Sequence, residues 1–175
     1  MNKSKNNDIV EILGEFDSFE KNFITQKSLL FKDDRLSLII IYALIESTLD
    51  FLLTRTCKHG KYFSDPRTPF ISKATILNEL KVIDDQMLVY IKIVNKLRNT
   101  FAHKLVLDDK WKEKLSLDEQ DPSYKHFLEM IPAAKLDGLT IRLTFVWWRL
   151  GNIGKGHFLI KHFGKAASGN KKKEK

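Results

Sequence analysis

The run Asp34-Arg35-Leu36-Ser37-Leu38-Ile39-Ile40-Ile41-Tyr42-Ala43-Leu44-Ile45 decides the fold class. An aspartate at 33 or 34 offers a side-chain oxygen to the orphan amides of a first helical turn, and the helix it caps runs to about Arg55. A surface helix carries its apolar residues as a stripe. Here Leu36, Leu38, Ile39, Ile40, Ile41, Ala43, Leu44 and Ile45 cover nearly the whole circumference, which suits the centre of a bundle or a subunit interface. The run is interrupted by Ser37 and is shorter than the roughly 20 residues that a bilayer crossing requires, so the expectation is a chain with no membrane segment.

Helical periodicity continues on both sides of this run, and no internal repeat accompanies it. Upstream, Asp8 can cap a helix with Ile9, Ile12, Leu13, Phe16, Phe19 and Phe23 on one face. Downstream, Gly60, Pro66 and Pro69 lie among polar residues, so 57–69 reads as a loop. Ser72 precedes a short helix with Ile71, Ala74, Leu77 and Leu80 inward, and Asp84 or Asp85 caps the next, whose buried stripe is Met87, Tyr90, Ile91, Val94, Leu97 and Phe101. Asp121-Pro122 places a cap before a proline at the first helical position. A last helix runs from about Asp137 to Leu150, with Leu139, Leu143, Val146, Trp147 and Leu150 on one face and Gly151 as its stop. With no convincing strand pair, the fold reads as all-α: an antiparallel helical bundle over 1–165 and a flexible, basic tail over 166–175.

The charge balance adds less than it promises. Thirty basic and 22 acidic residues give a net charge of +8. From Lys155 onward seven lysines face one acid, Glu174, so most of the excess belongs to the tail. Such a tail can raise nucleic-acid affinity through phosphate contacts, or simply be solvated. Cys57 is the only cysteine, which excludes an intramolecular disulfide and a multi-cysteine zinc site. Met1–Asp8 lacks the apolar stretch of a secretory signal, so the expected location is the cytoplasm.

Chemistry concentrates in Asn95-Lys96-Leu97-Arg98-Asn99-Thr100-Phe101-Ala102-His103. On a helix, Asn95, Asn99 and His103 form one polar stripe, with Arg98 about 100° from Asn99. Arginine supplies a rigid donor fork for phosphate oxygens. Histidine exchanges a proton near neutral pH, and asparagine can orient either. The competing reading makes Arg98 and Asn99 structural partners of neighbouring loops, with His103 near a helix C-terminus.

Arg98-Asn99-Thr100-Phe101-Ala102-His103 resembles the R-N-x-x-x-H motif of HEPN domains, helical bundles that include metal-independent RNases of toxin–antitoxin and defence systems. The wider order is similar to mannitol operon repressor-like proteins: Asp34-Arg35 and the apolar helix ending Ala43-Leu44-Ile45-Glu46, then Phe70 to Leu77, then Leu97 to His103, then Arg142 to Val146. The resemblance implies a homodimer with Arg98 and His103 at a shared groove and cleavage of RNA through its 2′-hydroxyl. It also implies no cofactor, and a protein antitoxin or regulatory partner. Leu105 stands where several relatives carry a tyrosine, which argues against the subset modified there by an antitoxin. The repressor-like relatives offer a non-catalytic alternative, a regulatory or interaction protein in which the same stripe is a hydrogen-bond network. Asn95, Glu46 and Arg35 are the expected supporting residues.

Glu46 and Asp50, one helical turn apart, have the spacing of metal-binding carboxylates. No Glu-x-x-His partner accompanies them. The expectation is therefore that Glu46 pairs with Arg35 or Arg98, or simply lies at the solvent edge of its helix, and that there is no metal. Gly151-Asn152-Ile153-Gly154-Lys155-Gly156 lacks the ending of a phosphate-binding loop and reads as a flexible connection.

Overall fold

The computed structural model describes the backbone of residues 34–103, 121–130 and 138–169, and the side chains of 35–102, 121–130 and 138–158. Six helices occupy them: α1 (Asp34–Thr56), α2 (Gly60–Phe63), α3 (Phe70–Glu79), α4 (Asp85–His103), α5 (Pro122–Met130) and α6 (Gly138–Gly169), with no strand among the described residues. The all-α expectation holds. The expected helix from Asp8 to Phe23 and residues 170–175 of the expected 166–175 tail lie outside the described residues, while residues 166–169, expected to be flexible, are backbone of α6.

α1 is the element around which α2, α3, α4 and α6 pack. Leu38, Ile41, Ile45, Leu49, Leu52 and Leu53 are buried in the apolar cluster it shares with α3, α4 and α6, while Ile39 stays 61% exposed. From Arg35 to Thr56 this helix is long and apolar enough to cross a membrane by length and composition. That corrects the expectation that its apolar run is too short, because Thr48 to Thr56 extend the run with Leu49, Phe51, Leu52 and Leu53. The central helix of a bundle meets the same test.

Two contacts set the direction of α6 on α1. The buried Thr140 hydroxyl donates to Ser37 Oγ at 3.1 Å, and Gly154 lies against Leu52. The two helices therefore run parallel. α4 meets α1 at Asn95 and Tyr42, while its first turn at Gln86 meets Arg149, which in the parallel register lies beside the C-terminal half of α1, so α4 runs antiparallel to α1. The long connection between α4 and α6 permits the parallel return, so an all-antiparallel arrangement is not what these contacts describe. α5 closes over α6 through rings: Phe127 lies 5.3 Å from Trp148, and Tyr124 lies 4.9 Å from Phe145. Arg149 on α6 then ties α5 to α4, donating to Asp121 Oδ2 at 2.7 Å and Gln86 Oε1 at 3.0 Å.

The caps sit where the acids are. Asp84 Oδ1 accepts from the Met87 amide at 2.6 Å and starts α4, and Asp121 Oδ1 accepts from the Ser123 amide at 2.8 Å at the head of α5. α3 ends on Lys81, whose φ of 56° is left-handed. The Val82 amide reaches back to the Leu77 carbonyl at 2.9 Å and the Lys81 amide to that of Asn78 at 2.9 Å, the bond pattern of a Schellman close. Asn78 Nδ2 completes the corner by donating to Ile83 O and Asp85 Oδ1.

Two expectations about punctuation are corrected. The segment 57–69 contains the single-turn helix α2, and Gly151 does not stop the last helix, which continues through Gly154 and Gly156 to Gly169. Packing overrides the glycine signal. Gly151 and Gly154 are buried, and a Cβ on Gly154 would stand 2.7 Å from Leu52 Cδ2. Glycine there lets α6 approach α1 closely, while a Cβ on Gly156 would meet nothing within 4 Å. Gly156→Ala should therefore raise stability by about 0.5–1 kcal/mol, the helix-propensity difference. Gly154→Val should lower it by about 1–3 kcal/mol through overpacking. Thermal melts of the two variants check both signs, and equal responses would contradict the close-approach account.

Candidate functional site

α4 divides its circumference between packing and chemistry. Met87, Tyr90, Ile91, Val94 and Leu97 are buried, while Arg98 and Asn99 are exposed and Asn95 is half-buried. Helical register aligns Asn95, Asn99 and His103 one turn apart. His103 is the last described residue of α4, and its side chain lies outside the described ones.

The guanidinium of Arg98 rests on an aromatic ring. Its Cζ lies 5.4 Å from the centroid of Tyr42, and its Nη1 donates to Asn99 Oδ1 at 3.2 Å. The Tyr42 hydroxyl donates to Asn95 Oδ1 at 3.3 Å, and its ring stacks on Phe70 of α3 with centroids 4.2 Å apart. Burial, with the negative charge of Glu46 adding to it, raises the Tyr42 pKa, against the smaller pull of Arg98 and Lys73. The phenol therefore stays protonated and can donate at neutral pH. Among the described residues no carboxylate pairs with Arg98; its contacts are Asn99 and Tyr42.

The expected supporting acid is engaged elsewhere. Lys73 of α3 is 1% exposed. Its Nζ donates to Glu46 Oε1 at 3.1 Å and to Asp50 Oδ2 at 3.0 Å, and lies 2.8 Å from Asp50 Oδ1. Glu46 thus pairs with Lys73 rather than with Arg35 or Arg98. Arg35 stands at the start of the same helix, about 16 Å away along its axis, beyond side-chain reach. The two carboxylates with metal-like spacing hold an ammonium. Among the described residues no group of three or more His, Cys, Asp or Glu side chains is placed to hold a metal ion.

The structure thus brings together Arg98, Asn99 and Asn95, adds Tyr42 as their support, and places Glu46 in a neighbouring ion cluster. Tyr42 had no signal of its own within an apolar run. Lys73 did have one: it falls on the stripe of Phe70, Ala74 and Leu77, the i, i+3, i+4, i+7 positions that face a core. A lysine there requires anions opposite, and Glu46 and Asp50 are those anions. No family model, curated protein or solved structure matches this chain.

Burial alone would pull the Lys73 ammonium down, but the hydrogen bonds it donates to Asp50 and Glu46, with their charges, outweigh it and raise its pKa above the ordinary 10.5. A raised lysine pKa means the folded state holds the proton more tightly. Its contribution is complete below pH 10.5 and is lost as pH climbs through the raised value. Lys73→Met should cost about 3 kcal/mol, the low end for a broken buried pair, since Glu46 and Asp50 keep 35% and 30% of their side-chain surface in water. Its melts should also lack the parent's alkaline loss; an unchanged alkaline limb would remove Lys73 from this role. Arg98→Ala, in contrast, gives up an exposed ring contact, about 0.5–1 kcal/mol, and an exposed hydrogen bond to Asn99, and should melt within a few degrees of the parent. A large loss would mark Arg98 as scaffold.

Proposed function

We propose that this chain is a metal-independent endoribonuclease of HEPN type, cytoplasmic and dimeric, belonging to a toxin–antitoxin or defence system. The observation that carries this reading is the state of Arg98: exposed, seated on Tyr42, held by Asn99, and without a carboxylate partner among the described residues. Arg149, which ties α5 to α4, is by contrast only 14% exposed and faces Asp121. A guanidinium left exposed and oriented by a ring and an amide is preorganised for an anion from outside.

In this reading Arg98 binds the scissile phosphate and stabilises the charge that develops as a 2′-hydroxyl attacks. His103 serves as general base or acid, and Asn99 orients the guanidinium. The second copy of the chain completes the groove, and the apolar Leu36 and Ile39, exposed on α1, give a two-fold mate something to cover. Lys73 supports the absence of a metal requirement, since it already neutralises Glu46 and Asp50.

The hydrogen bonds that Asn95 and Arg98 already make within the chain favour a second reading, a non-catalytic regulator of the mannitol operon repressor-like kind. One experiment separates the two. Purified protein incubated with single-stranded RNA in EDTA should produce fragments ending in 2′,3′-cyclic phosphate. His103→Ala should lower that activity by at least about a hundredfold, the scale of general acid–base catalysis, with its helical circular dichroism intact. No cleavage by the parent would transfer the proposal to the regulator, and equal cleavage by the variant would remove His103 from the chemistry and assign the activity to another site or a contaminant.

A further inference from the structure

The end of the molecule around α2 carries a patch that neither the packing nor the Arg98 face explains. Between Arg55 and Arg67 the chain holds four basic residues and one acid, Asp65. Arg67 occupies that acid, donating to both of its oxygens at 2.9 Å. Arg55, Lys58, His59 and Lys61 are exposed, and among the described residues no carboxylate pairs with Arg55, Lys58 or Lys61. Tyr62, 77% exposed, is the most open large hydrophobic side chain among the described residues, and Phe63 beside it is 39% exposed. Arg55, in the last turn of α1, complements the helix dipole. That account does not reach Lys58, Lys61 or Tyr62.

The patch is held in a fixed shape. The Gly60 amide donates to Cys57 O at 3.2 Å, the Tyr62 amide to His59 O at 3.0 Å, and the Ser64 amide to Gly60 O at 2.9 Å. Gly60 is buried, and a Cβ there would run into the Leu53 carbonyl. The turn is therefore pressed onto the end of α1, with its cations and ring facing outward.

We infer that this turn is a docking surface for single-stranded RNA, with Lys58, Lys61 and Arg55 contacting phosphates and Tyr62 stacking on a base. Cations without acidic partners release counterions on meeting phosphate, and an exposed ring on a rigid turn supplies the sequence-tolerant stacking that single strands use. Two adjacent rings, one of them only partly open, offer little apolar area to a bilayer. The ammoniums and ring match the alternation of phosphate and base along a strand. The inference rests on the RNA reading for its choice of ligand, and the test separates the two.

The probe is a fluorescein-labelled 2′-O-methyl oligouridine of about 12 nucleotides, which lacks the attacking hydroxyl and reports binding without cleavage. Anisotropy titrations of the full chain between about 50 and 200 mM salt should show Lys58→Ala/Lys61→Ala weakening binding about tenfold. The variant should also flatten the salt slope by about 1.4, or 0.7 per lost phosphate contact. Tyr62→Ala should weaken binding at least about fivefold, while Tyr62→Phe, which keeps the ring, should stay within about twofold. Turn variants within about twofold of the parent would overturn the inference and assign RNA binding to other residues. Loss of binding to phosphatidylserine vesicles alone would overturn it in favour of a membrane surface. Intact oligonucleotide binding with no cleavage of ordinary RNA would fail the Arg98 reading and leave the turn. Cleavage that is indifferent to the turn would do the reverse.

Discussion

The Lys73 ammonium, 1% exposed between Glu46 and Asp50, is the interaction on which the arrangement of helices depends. α1 is apolar around most of its circumference, and apolar contact is non-directional. A helix with oil on every side can rotate or slide at little cost unless something polar holds it. Three devices do so here. Lys73 fixes the face of α1 that meets α3. The buried Thr140–Ser37 hydrogen bond fixes the face that meets α6. Gly154 at Leu52 fixes how closely and at what height α6 lies. Apolar burial makes the helical packing stable, while these contacts choose one arrangement among the several that the apolar surface would accept.

What could be read from the sequence follows the same division. Signals that act within a few residues were legible. The carboxylates of Asp84 and Asp121 reach amides two or three residues ahead, and the stripe of α4 declares its buried side through local spacing alone. Signals that depend on a distant partner were not. Gly151 and Gly154 end a helix by local rule and continue one by tertiary packing. Glu46 has Arg35 on its own helix and Arg98 of the motif as visible cations, whereas its partner, Lys73, lies 27 residues away on a core-facing stripe. The polar stripe of Asn95 and Asn99 was legible, but its support, Tyr42, lies 53 residues from Asn95.

Tyr42 joins the buried charge cluster to the exposed face. Lys73 anchors α3 against α1, and α3 begins with Phe70. Phe70 stacks on Tyr42, and Tyr42 carries Arg98 on its ring while donating to Asn95. Each step is a contact between neighbours, and together they run from a lysine shielded from water to a guanidinium open to it. Glu46 belongs to both ends, accepting from Lys73 while its charge helps keep the Tyr42 proton in place. An exposed arginine on a long flexible stem would otherwise sample many rotamers and surrender entropy on binding an anion. A ring fixed from behind by a stacked phenylalanine and from the side by an amide narrows that choice in advance. The ion cluster at Lys73 therefore bears on the placement of Arg98 without touching it, through Phe70 and Tyr42.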